Sequence, residues 1–560
     1  MKEKTVILKD LFENKKYSEI IFIIENKINE EKKNSGILNL LGVSKLLNSQ
    51  NKENLLSAVN NFRQAYLKEK GTPNSMHGLK NFINASMDIF DIDFKEGKEK
   101  FDNEVFEEIL IYFSENKIFF EKNHSFLRAM MRVFKRNLDL KNAIYCLKKI
   151  IDIDQNNIDA MCSYIYFNGF IKDWDQKKYL DNAKHLNKLL PIYPIDKLVK
   201  LEKYNNKKIN LAFLSADVRA KHSVTYFLET VLKEYSNSEF DIYLYTNNKE
   251  DSTTEKFKKL CKKTLNIKNL NDIQAINAIR NDKIDILIDL MAITSDQRLA
   301  LLKNRLAQIQ ISWCGYCNTS GLDQMDYLIA DKNLINKNEV ELYSEKIILL
   351  PKIWNCHIGF NRERKKNLSP AINNKYITFG SFNNFRKISD DVIMAWSEIL
   401  KKVPNSKLIL KASDSASIII LSNKFKKNNV LNQIYFQPHK KNFEDHLNEY
   451  NKIDISLDTF PYNGVTTSFE AIWMGVPVVT LKGFNFNSRC GESINKNMNL
   501  EHLIGQNKHD YINKTISLAA DLNKLEEVRN IIFNNALKSP LFNTKEFSND
   551  FFNSLKKIYN

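Results

Sequence analysis

Residues 453–483 read IDISLDTFPYNGVTTSFEAIWMGVPVVTLKG, and the pattern is strand, loop, helix, turn, strand. Ile453, Ile455 and Leu457 are apolar and partly β-branched, as a strand covered on both faces requires. Pro461, Asn463 and Gly464 punctuate the loop. Thr466 and Thr467 open a helix that Gly475 ends, with Pro477 beyond it. Val478, Val479 and Leu481 make the second strand. The N-terminus of such a helix is an anion site, because its first N–H groups lack intrahelical partners and the dipole is positive there. The two threonines add hydroxyl donors. Glu470 lies one turn beyond Thr466 on the same face. A carboxylate there can accept hydrogen bonds from two sugar hydroxyls, as the acidic residue of dinucleotide folds holds a ribose. An ordinary N-cap with an acidic first turn is the plainer alternative.

The surroundings repeat the theme. From Tyr376 a second α/β set begins: ITFGSF, a helix over 390–403, a strand over 407–410, a strand over 434–436 and a helix near Asp445. Helices are expected over 510–525 and 545–558. Upstream, strands are expected over 209–214, 241–245, 284–290, 309–313 and 327–330, with helices from about Val224 and over 253–262, 273–281 and 295–304. Alternating β and α elements imply doubly wound parallel sheets. Residues 1–200 differ. Apolar residues recur at helical spacing over 17–28, 37–47, 55–67, 106–113 and 143–153, and glycine is scarce. Gly42 followed by Ala58, Phe62 and Ala65 fits a tetratricopeptide pair, and Ala143, Leu147 and Ile150 fit it more loosely, without a regular repeat of about 34 residues. The expected domains are a helical-repeat region over 1–203, an α/β lobe over 204–370 and a second lobe over 371–560.

A chain of 560 residues is too long for one core. The net charge of +16 raises the question of nucleic acid. The lysines are spread among Asn and Ile, however, and no basic block, zinc pattern or aromatic RNA-binding motif accompanies them. A basic cleft for a nucleotide diphosphate is the cheaper account. No apolar run suits a signal peptide or a membrane span. Seven scattered cysteines favour a reducing compartment, so a cytoplasmic location is expected.

Four further stretches could carry chemistry. Lys387 follows GSFNNFR at a helix entrance, where a lysine can neutralise a pyrophosphate, and Asn384 could read a polar edge. His446 closes HKKNFEDH at a helix start and could stack on a base or bond a phosphate. His222, in SADVRAKHS past the strand 209–214, faces a cleft with Asp217 nearby and suits proton transfer near neutrality. WCGYC at 313–317 has the form of a thioredoxin motif. The NTSGLDQ that follows it reads as a loop where that motif needs a helix.

Taken together and in order, SADVRAKHS, DILIDL, AQIQISWCGYCNTSGLDQMDY, ITFGSFNNFRKIS, LDTFPYNGVTTSFEAIWMGVPVVT and SPLFNTKEF resemble the O-linked N-acetylglucosamine transferase family, the tetratricopeptide-containing transferases and their bacterial relatives. The resemblance covers most of 205–560. It implies a GT-B pair of Rossmann-like lobes behind a helical arm. The implied activity is metal-independent, inverting transfer of a sugar, N-acetylglucosamine first, from a UDP-sugar to Ser or Thr of a protein presented by the arm. No cofactor beyond that co-substrate is implied, and a homo-oligomer is compatible. By the same resemblance Lys387 and Asn384 face the UDP, His446 stacks near the uracil, Thr466 and Thr467 hold the phosphates, and Glu470 takes the ribose. His222 stands beside sugar and acceptor, and Gly315 lies in a loop that closes on the sugar. Val465 replaces a family histidine, Glu470 replaces an aspartate, and Cys317-Asn318 replaces Pro-Gly. Lys440 and Lys441 lie close to, but shifted from, the family's lysine before the base-stacking histidine. Another donor (UDP-glucose, GDP-fucose), an Asn acceptor, or an adaptor with decayed lobes are the competing readings.

Overall fold

The computed structural model describes residues 2–49, 51–96, 103–194, 207–220, 222–236, 239–360, 363–411, 415–438, 440 and 442–560. The chain forms two compact units, Met1–Gln155 with Ser413–Ile420, and Asn156–Ala412 with Leu421–Asn560.

The first unit is helical. Ser35–Asn48, Lys52–Lys68 and Pro73–Glu96 pack in succession, as do His124–Arg136 and Leu140–Ile153. The repeat signature has a steric basis: a Cβ on Gly42 would lie 2.5 Å from the ring of Phe62, so the ring fills the space that glycine leaves. Ala58, Phe62 and Ala65 are fully buried around it. Asparagine starts several of these helices. The side chains of Asn34, Asn51 and Asn123 accept first-turn amides, which a helix otherwise leaves unpaired.

Helices Ile158–Asn168 and Gln176–Leu189 fall within the expected repeat region but count with the second unit. The boundary expected at 203 lies outside the described residues. Two sheets follow. The first contains β1 (Ile209–Ser215), β2 (Phe240–Thr246), β3 (Lys263–Asn266), β4 (Ile286–Asp289), β5 (Ile309–Ser312), β6 (Tyr327–Asp331) and β7 (Lys346–Leu350), in the order β3-β2-β1-β4-β5-β6-β7. The second contains β8 (Thr378–Ser381), β9 (Lys407–Lys411), β10 (Ile434–Gln437), β11 (Ile455–Leu457), β12 (Val478–Leu481) and β13 (Ile504–Gly505), in the order β10-β9-β8-β11-β12-β13. Every strand pair is parallel. Each order reverses beside its first strand, at β1/β4 and at β8/β11. Such switch points open a crevice at the strand C-terminal ends, where ligands bind.

The differences from expectation lie at edges and ends. The helix expected over 253–262 stops early, as Ser252–Lys258, and the chain turns into β3. The helix over 295–304 shortens to Leu299–Lys303. The helix over 510–525 breaks at Asp521, whose carboxylate accepts the Lys524 amide and starts a new helix, Leu522–Asn535. Strands β3 and β7 and helix Ser415–Lys427 had no counterpart in the sequence reading. Helix Thr544–Tyr559 returns to the first lobe. Its Phe551 lies 4.8 Å from Trp313, its Phe552 4.9 Å from Phe240, and its Lys556 pairs with Glu239 at 2.8 Å. Among the described residues no helix is long and apolar enough to cross a membrane.

Candidate active site

The loop after β11 is built around Asp458. This buried carboxylate accepts the Gly464 amide at 2.7 Å, the Thr459 amide at 2.9 Å and the Thr480 hydroxyl at 2.7 Å. Those donors fold residues 459–464 into a fixed approach to helix Thr466–Trp473. Burial nonetheless outweighs them and raises the Asp458 pKa to about 6. From past β8, Lys387 reaches the same loop. Its ammonium donates to the Asn463 carbonyl at 2.7 Å and lies 4.7 Å from the centre of the Tyr462 ring. Burial lowers its pKa, with Asp458 acting in the opposite direction. A lysine charge and a helix N-terminus therefore share one loop, which is what a diphosphate site needs.

The first turn of the helix is tied down from both sides. The Thr467 hydroxyl donates to Asn383 Oδ1 at 3.0 Å. Asn384 is exposed, and its side chain accepts the Arg386 amide at 3.0 Å, capping the short turn Phe385–Lys387. The neighbour Asn383 thus makes the contact with the helix. Glu470 is buried, and its Oε2 receives His446 Nε2 at 3.0 Å and the Tyr450 hydroxyl at 2.8 Å. Val465 precedes the helix as its N-cap and offers no polar side-chain atom. Lys441 lies outside the described residues. Lys440 is described, 3.5 Å from Glu449.

The first lobe contributes His222, where the chain enters helix Ser223–Glu234 past β1. Its Nε2 lies 3.2 Å from Asp217 Oδ1, and its buried Nδ1 has no hydrogen-bond partner among the described residues. Burial lowers its pKa against the pull of Asp217. A cavity of about 310 Å³ lies between the lobes, walled by His222 and Tyr226 on one side and by Lys440, Phe443, His446, Thr466 and Glu470 on the other. The structure thus gathers His222, His446, Thr466 and Glu470 at one cavity. Lys387, bonded to the loop before the helix, and Thr467, in its first turn, are not among the residues that line it. Gly315 lies away from the cavity wall and packs against the chain after β4, where a Cβ would meet the Leu290 carbonyl oxygen at 1.8 Å.

The CxxC motif has neither the helix nor the acidic thiol of a redox centre. Residues 313–322 contain no helix, all seven cysteines are free, and burial pushes the Cys314 thiol well above its usual range. Asn383, Tyr450, Tyr226 and Asp458 were missed from sequence. Asp458 at a strand end had a visible signal. Tyr450, four residues after His446, had a weaker one.

The sequence profile described as Glycosyl transferase family 41 matches residues 189–369 and 363–551. The chain belongs to glycosyltransferase family 41. The family match covers both sheets and every site residue named above. Among relatives, the probable UDP-N-acetylglucosamine–peptide N-acetylglucosaminyltransferase SPINDLY of Solanum lycopersicum is 31% identical over 421 residues, covering 71% of this chain and 44% of its own length. The Arabidopsis thaliana protein SEC, which carries the same probable activity in its name, is 26% identical over 367 residues, covering 63% of this chain and 37% of its own length. The chain therefore spans less than half the length of these curated relatives. A Thermobaculum terrenum O-GlcNAc transferase, solved as a point mutant, superimposes with a TM-score of 0.77 at 21% identity, covering 94% of this chain and 98% of that one. That likeness establishes the GT-B fold for this family 41 member.

Proposed function

We propose that this family 41 chain is an inverting, metal-independent glycosyltransferase that moves N-acetylglucosamine from UDP-N-acetylglucosamine to a Ser or Thr hydroxyl of a polypeptide. One observation carries the reading: a single cavity at the strand ends takes a carboxylate-paired histidine from one lobe and a helix N-terminus with Glu470 from the other. The diphosphate rests at Thr466 and Thr467 with the Lys387 charge behind it, and Glu470 accepts from the ribose. The acceptor oxygen forms its bond to the anomeric carbon as the bond to the phosphate oxygen breaks, and the electron pair leaves with UDP. Lys387 and the helix dipole stabilise that charge without a metal. His222, held by Asp217, is the titratable group nearest the acceptor side and a candidate to receive the hydroxyl proton. The names borne by the plant relatives support the donor and the protein acceptor. Helical repeats in the first unit supply the kind of surface that holds an extended peptide.

A hydrolysis and transfer screen across UDP- and GDP-sugars, with and without EDTA and an unstructured Ser/Thr-rich peptide, tests this. UDP release from UDP-N-acetylglucosamine, unaffected by EDTA and lost in Lys387→Ala, is expected. Turnover of UDP-glucose or GDP-fucose alone would replace the donor. No turnover of any sugar would point to a binding protein on a transferase fold.

A further inference from the structure

Glu470 has two carboxylate oxygens, and among the described residues only one of them receives side-chain hydrogen bonds. His446 Nε2 at 3.0 Å and the Tyr450 hydroxyl at 2.8 Å both meet Oε2. A carboxylate only accepts, so both partners donate, which places a proton on His446 Nε2 and fills the lone pairs of Oε2. Burial beside Glu470 holds the Tyr450 pKa well above the usual phenol value, so its hydroxyl keeps the proton it donates. That hydroxyl also lies 3.1 Å from the Thr467 carbonyl. Its single proton favours the nearer, charged acceptor. Among the described residues no side chain donates to Oε1, and Glu470 lines the cavity.

Tyr450 is itself immobilised. It is 1% exposed, and its ring meets that of Phe382 edge-on at 4.7 Å and 73°. It sits on the turn Glu449–Lys452, which follows the helix Phe443–Asn448 that carries His446. One tyrosine and one histidine from that segment thus grip a side chain of helix Thr466–Trp473. A glutamate has an extra rotatable bond compared with an aspartate, and without the grip its two oxygens could exchange places.

We propose that Tyr450 and His446 are positioning residues that occupy Oε2 of Glu470, leaving Oε1 as the free acceptor for a ribose hydroxyl of the nucleotide, and so set a preference for ribonucleotides over deoxyribonucleotides. This rests on the nucleotide-sugar reading of the cavity. Substituting Tyr450 should cost affinity where a hydroxyl is present to be read and little where it is absent.

Calorimetry on the full chain tests it, using UDP with its 2′-deoxy and 3′-deoxy forms, and the GDP series in parallel. Wild type should favour the ribonucleotide over at least one deoxy form by about 10-fold or more, the size of one charge-assisted hydrogen bond. Tyr450→Phe should lose most of that ratio while deoxynucleotide binding stays within about 3-fold, and adding Glu470→Gln should change little further. His446→Phe, which removes the ring N–H donor and leaves the Thr467 contact intact, reads the same grip if Tyr450→Phe misfolds. An unchanged ratio in both single variants, or an equal loss for both nucleotides, overturns the positioning role. Wild-type binding without discrimination overturns it too, yet keeps the donor reading. Wild type that binds no nucleotide overturns both.

Discussion

Lys387 is a buried charge bonded to the loop before the helix, and under the proposed transfer it acts as the leaving group departs. Lys387→Ala should lower turnover by ~10²-fold or more, the range for losing one donor aimed at developing charge. Steady-state kinetics alongside a thermal melt checks this, and unchanged kcat in a folded variant removes Lys387 from the chemistry. His357 makes a prediction about stability. It is fully buried in an aromatic cluster, stacked on Tyr226 at 4.9 Å, with Nδ1 accepting the Gly359 amide at 2.9 Å and Nε2 without a hydrogen-bond partner among the described residues. Burial drives its pKa down to about 3. The unfolded chain, near 6.5, takes up the proton first as pH falls. The stability present above about pH 6.5 is therefore lost progressively towards pH 3, roughly 2 kcal/mol of it by pH 5. His357→Phe should flatten that acid limb while lowering the neutral plateau by about 1 kcal/mol for the lost Gly359 bond, as melts between pH 5 and 8 would show. At this scale the sequence was legible where a cavity-lining residue sits beside a strand end or helix start, as for His222, Thr466 and Glu470. It was not legible for Asn383 and Tyr450, whose roles depend on Thr467 and Glu470 arriving from distant parts of the chain.

The loop 313–322 belongs to the scale of the element. Gly315 is required because a side chain would strike a backbone carbonyl, which cannot step aside as a side chain might. Gly315→Ala should cost about 1–3 kcal/mol through overpacking and shift the loop; denaturant unfolding and activity measured together would show both, and a neutral result would mean that the loop has slack. The wild type and Cys317→Ser should both stay at background in disulfide-exchange assays; insulin reduction by the wild type that disappears in the variant would restore the redox reading. The strands at the sheet switch points were legible as apolar runs. The failures were at edges. KTLN, which forms β3, is short and half-exposed, so it lacks the continuous apolar signal of a covered strand. Asp521 broke a helix because its side chain offered the following backbone a cap, a choice that 3.6-residue periodicity does not register.

At the scale of the whole molecule, the two-lobed order of the chain was legible because each lobe repeats the same alternation of strand and helix. The return of helix Thr544–Tyr559 to the first lobe was not, since an amphipathic helix does not name the surface it covers. Phe547, Phe551, Phe552 and Leu555 are buried there. At about 1.5–3 kcal/mol for each such side chain, their loss approaches the whole stability of a typical domain, about 5–15 kcal/mol. A chain ending at Asn543 should therefore accumulate as aggregate, and solubility with hydrogen exchange in β1 and β2 would check it; native protection there would show that the helix is dispensable. The same helix opposes the direction of synthesis to the order of completion. A ribosome adding roughly 5–20 residues per second finishes β7 and then spends on the order of 10–40 s building the other lobe before the covering phenylalanines emerge. Trp313 and Phe240 stay uncovered for that interval, so the lobe made first is the lobe that must wait, and a holding chaperone would find its client there.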